Sequence, residues 1–136
     1  MKKLLSTACP AASFNIATFV LRVSFGLIMF FNHGINKIKG FGEAAGHFYD
    51  PFHIGHQASL ILVIFAEVFC ALFVVLGLFT RLAVIPLVIE MLVAVFLFHR
   101  GQSLTSHELG VLYLAAFFGI LLMGPGKFSV DGAMGK

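Results

Sequence analysis

SLILVIFAEVFCALFVVLGLF, residues 59–79, decides the class of this chain. Apart from Glu67 the run carries no charge, and it matches the roughly 20 residues that cross a hydrocarbon core about 30 Å thick. Backbone N–H and C=O groups find no partner in lipid, so a run of this kind has to be helical. A charged side chain near its middle costs about 2.5–3.5 kcal/mol even on lenient insertion scales, so Glu67 calls for a reason.

The same pattern recurs to either side. Apolar runs cover residues 14–31, 82–98 and 109–123, and two of them also hold one central charge, Arg22 and Glu90. The short last two extend a turn into their flanks. Gly77 with Thr80-Arg81 marks a tight turn between the second and third runs, and Gly124-Pro125-Gly126 stops the fourth. We therefore expect an all-α membrane protein, a four-helix transmembrane bundle in one domain over residues 1–136. A long first outer loop, residues 32–58, carries His33, His47, His53 and His56 among aromatics. It is expected to hold a short interfacial helix or a re-entrant lid.

Composition agrees. The chain is 136 residues long, 60% hydrophobic and 11% charged, against about 25% charged in soluble domains. A net charge of +3 is small and scattered, which excludes nucleic acid as a partner and fits charges at helix ends. Lys2, Lys3, Arg81, Lys127 and Lys136 fall on one side of the arrangement; Lys37, Lys39 and Arg100 fall on the other. The positive-inside rule then places both termini in the cytoplasm of a bacterial inner-membrane protein. Cys9 and Cys70 are too far apart in sequence for a disulfide framework, and Cys70 reads as a core residue. The stretch before Cys9 lacks the apolar region of a lipoprotein signal.

Rise along a helix converts position into depth. Counted from the ends of the apolar runs, Arg22 and Glu90 lie about 12 Å from the cytoplasmic side and Glu67 about 18 Å. The expectation is an Arg22–Glu90 contact, with Glu67 joining it or carrying a proton. Arg22, Gly26, His33 and Lys37 fall within about 60° of arc, one stripe leading from the buried charge to the outer surface. Glu67, Glu90 and Arg22 are the candidate catalytic residues. Arg22, Gly26, His33, Lys37, Glu67, Glu90, His99 and Glu108 are the candidate ligand-binding residues. His33, His99, His107 and Glu108 all sit at span ends, but no pair among them has helical i, i+4 spacing, and no metal site is expected. Glu108, Leu112, Ala115 and Gly119 form a stripe that reads as a packing seam.

Three stretches together resemble the DoxX family of small bacterial membrane proteins. They are Leu21-Arg22-Val23-Ser24-Phe25-Gly26 followed by His33-Gly34-x-x-Lys37, then Glu67 with Gly77-Leu78-Phe79-Thr80-Arg81, and finally Gly124-Pro125-Gly126-Lys127-Phe128-Ser129-Val130-Asp131. The resemblance implies a four-helix protein of the cytoplasmic membrane, associated with quinone-linked oxidoreductases, quinone detoxification or oxidative-stress complexes. It implies an accessory subunit rather than a self-sufficient enzyme.

Stripe and resemblance lead to one expectation: a membrane subunit of a quinone- or quinol-linked oxidoreductase system. In it Arg22 or His33 donates to a carbonyl oxygen and Glu67 or Glu90 handles protons. A quinone is the admissible cofactor, with the bilayer, a redox protein and further copies of the chain as partners. The alternative is a non-catalytic scaffold or assembly subunit whose charges fix helix packing. A small-molecule or proton transporter is the third reading, and no inverted repeat supports it.

Overall fold

A computed structural model describes residues 1–98, 101 and 103–136. Among these residues every regular element is helical. Helix α1 runs Ala11–Lys39, α3 His56–Leu76 and α4 Thr80–Phe98, and all three are long and apolar enough to cross a membrane. The short helix α2, Phe41–Ala44, lies between α1 and α3. Helix α5, Glu108–Met123, is apolar but 16 residues long, or about 24 Å. The structure thus has three span-length helices and a shorter apolar companion, where four spans, the last two short, were expected. Helix α6, Val130–Ala133, closes the chain.

The four longer helices form a ring in which α1 packs on α3, α3 on α4, α4 on α5 and α5 back on α1. Met29, Val74, Leu87, Phe117 and Ile120 fill its centre and are wholly buried. Outward-facing residues such as Phe69, Leu82 and Leu122 are large, apolar and exposed, as a lipid-facing surface requires.

Helix α1 extends well past Phe31, where its apolar run ends. Along residues 32–39 His33 and Lys37, one turn apart, face Tyr113 and Glu67 on other helices, which a hydropathy window cannot register. The expected long loop shrinks accordingly to residues 40–55, with α2 as its short helix.

Three segments wind as π-helix: Met29–Gly34 in α1, Phe65–Cys70 in α3 and Ala94–Phe98 in α4. Each wide turn carries an extra residue and re-aims the side chains beyond it.

Both chain ends gather at one end of the bundle, where a clasp closes it. Gly77, left-handed at φ +73°, ends α3, with the Leu78 N–H donating to Phe73 O at 2.9 Å. The Asp131 carboxylate then caps α4, accepting from the N–H groups of Phe79 and Thr80, both at 3.0 Å, and from the Thr80 hydroxyl at 3.1 Å. Burial works to raise the Asp131 carboxyl, but these bonds, with Lys136 nearby, hold it below the ordinary carboxylate range.

Candidate functional site

The opposite end of the ring encloses a cavity of about 920 Å³. Its chemistry starts where α1 meets α3. A Cβ added to Gly34 would lie 2.8 Å from the Glu67 carbonyl oxygen, so only glycine lets the two backbones approach this closely. That approach brings Lys37, one turn beyond Gly34, over the Glu67 side chain. Lys37 Nζ donates to Glu67 Oε1 at 2.8 Å; the Glu67 side chain is 2% exposed and that of Lys37 27%.

From α4, Glu90 turns into the same space, close enough for its carboxyl and that of Glu67 to act on each other. Helix α5 adds Tyr113, whose ring stacks on Phe117 at 5.9 Å between centroids and meets the His33 ring edge-on at 5.5 Å. The Tyr113 hydroxyl is buried and has no hydrogen-bond partner among the described residues. His33 lies within electrostatic range of both Glu67 and Lys37. One ammonium, two carboxyls, an imidazole and a phenol thus meet in a largely apolar cavity that His47, Ser59 and His107 also line.

The loop after α1 roofs this space with Phe48, Tyr49 and Phe52. Asp50 pins the roof to α3, accepting from Ile54 N–H at 3.1 Å, Gly55 N–H at 2.8 Å and the Ser59 hydroxyl at 2.8 Å. Desolvation by its neighbours acts to raise the Asp50 carboxyl, yet these bonds outweigh it and leave the group below its usual range.

Arg22 stands elsewhere. Its guanidinium is wholly buried at the clasp end and donates to the carbonyls of Val74 and Val75, both at 3.0 Å, and to that of Phe128. The expected Arg22–Glu90 contact does not form. The depth count assumed that apolar runs begin at one level, but Lys127 N–H donates to Asn15 Oδ1 at 2.9 Å, past the end of α5. The first turns of α1 therefore lie outside that level. Arg22 sits beside the last turn of α3, some seven residues or about 10 Å from Glu67. There it satisfies terminal carbonyls and complements the helix dipole.

Gly26 serves packing: an added Cβ would meet the Ala71 carbonyl oxygen at 3.2 Å. Glu108 is exposed and does not line the cavity. Leu112 and Ala115 on its stripe are exposed too, while Tyr113, Phe117 and Ile120 form the buried face of α5. His99 lies outside the described residues. Among the described residues no three His, Cys, Asp or Glu side chains gather as a metal-binding group.

Tyr113 and Asp131 are the residues that sequence reasoning left without a role. Tyr113 had a signal, as the single polar side chain within the apolar run 109–123. Asp131 had only its place in the closing motif, because its partners are backbone amides some fifty residues away.

Residues 17–100 match the DoxX family, and the chain belongs to it. No curated protein and no solved structure matches the chain.

Proposed function

We propose that this DoxX-family membrane protein is the integral-membrane subunit of a quinone- or quinol-linked oxidoreductase system, one domain with four spans in a bacterial cytoplasmic membrane. In this reading both termini face the cytoplasm, and the clustering of Arg81, Lys127 and Lys136 at the clasp end supports it. The observation that carries the reading is the Lys37–Glu67–Glu90 group in a largely apolar cavity. The cavity's size falls within the roughly 300–1,000 Å³ of small-molecule sites.

The residues divide the work. Tyr113 and the free N–H groups of Lys37 donate to a ring oxygen. Glu90 accepts from a ring hydroxyl. Charge balance in the apolar surround is met when the two carboxyls share one proton against the single Lys37 ammonium, which equips the pair to take a proton from a quinol or return one to a quinone. Electrons pass to or from a redox partner protein. Arg22, placed at the clasp, takes no part.

Titration of the purified protein with a quinone tests the reading. Saturable binding is expected, weakened about tenfold in Glu67→Gln and in Glu90→Gln by loss of charge-assisted hydrogen bonds. Non-saturable uptake, or affinity unchanged in both variants, removes it. The placement of Arg22 favours a second reading, an assembly subunit whose charges serve the fold. Under that reading a Lys37→Met, Glu67→Met double variant keeps full activity of the assembled system.

A further inference from the structure

Close contacts cross three of the four seams between helices beside the cavity. Gly34 against the Glu67 backbone closes α1 to α3. A Cβ on Gly110 would lie 3.2 Å from Val95, so α4 and α5 are in close contact. The His33 and Phe25 rings meet Tyr113 across α1 and α5. At the seam between α3 and α4, Leu62 and Ile89 line the cavity and are 57% and 51% exposed. A side chain that borders a cavity and is half open to the surface stands on its rim. Ile89 lies at the middle of α4 and Pro86 lower still, so this rim reaches down the membrane-facing wall toward mid-bilayer depth.

We propose that the cavity opens sideways into the bilayer through a slot between α3 and α4, and that its ligand is a long-tailed amphiphile. The polar head rests at Lys37, Glu67 and Glu90, and a prenyl tail lies in the slot and continues into lipid. This rests on the headgroup site proposed above and adds to it the ligand's class and its route. Depth decides the occupant: Leu62 and Ile89 join the cavity to the lipid-facing surface at the middle of α4. A water-soluble ligand has no use for an apolar slot at that depth.

Equilibrium binding in nanodiscs tests the slot with two probes, a tail-free methylnaphthoquinone and the same ring bearing a prenyl tail of several isoprene units. Ile89→Trp and, on the facing wall, Leu62→Trp fill the slot. Leu92→Trp puts the same indole on the lipid-facing side of α4, away from the cavity. Each slot variant is expected to weaken the tailed ring by about tenfold or more and the tail-free ring by less than about threefold, with Leu92→Trp changing neither. Equal loss for both rings, or loss for neither, overturns the slot while leaving the headgroup site standing. If neither ring binds the unsubstituted protein, the headgroup site falls and the slot with it.

Discussion

Replacing Asp131 by alanine removes three hydrogen bonds from the clasp: the cap on the Phe79 and Thr80 amides and the partner of the Thr80 hydroxyl. Loss of a helix N-cap costs about 0.5–2 kcal/mol. Thr80 is 1% exposed, so its hydroxyl is left buried without its acceptor, a further cost of about 1–3 kcal/mol. Together these give roughly 3 kcal/mol, or a fall in apparent Tm of about 10 °C for a chain of this length. A thiol-reactive dye reads the transition in a Cys9→Ser background, because Cys70 is 4% exposed and reacts only on unfolding. The pH dependence has a definite sign. Since the folded Asp131 carboxyl titrates below its usual range, its contribution is complete above the unfolded value of about 3.9 and fades as pH falls through the lower folded value. Asp131→Ala should lack that acid-side loss. A variant that melts within about 2 °C of the parent, or that keeps the parent's full acid-side loss rather than the share owed to Asp50, refutes the clasp.

Other outcomes separate fold from site. Tyr113→Phe removes a hydroxyl with no partner among the described residues, so Tm should hold while quinone affinity drops about three- to tenfold in equilibrium binding. Arg22→Met leaves the Val74, Val75 and Phe128 carbonyls without their donor; thermal stability should fall by several kcal/mol, with affinity of the remaining folded fraction unchanged. Gly34→Ala forces a methyl against the Glu67 carbonyl, so it should cost about 1–3 kcal/mol in thermal unfolding and weaken binding by moving Lys37 off Glu67.

Hydropathy located the long helices and their central charges, because lipid leaves an apolar run one backbone solution. It could not say which charges meet. Arg22 and Glu90 looked level, with Glu67 about a turn further out, when counted from where apolar runs begin, yet α1 starts beyond the end of α5 and Arg22 drops to the clasp. The stripe of Arg22, Gly26, His33 and Lys37 does turn inward, but its members serve two ends of the molecule: Arg22 and Gly26 pack, while His33 and Lys37 reach the cavity. Lys37 looked like an outer-surface charge because hydropathy stops at Phe31. Helical geometry continues to Lys39. The quoted motifs around Gly77 and Asp131 meet in space with Arg22, so they report on closure of the bundle more than on reactivity.

The wide helical turns carry a consequence for how this architecture tolerates change. Excising one residue from Met29–Gly34 would let α1 take up ordinary winding with Lys37 still in phase, whereas excising Asn36, where the winding is already ordinary, would swing everything after it by about 100°. Nothing at the Arg22 end would notice, but Lys37 would face away from Glu67 with its own codon untouched. In this bundle the register of the chain is as much a determinant of the polar group as the identity of its members, and a single-residue deletion there can silence the group without altering any residue in it.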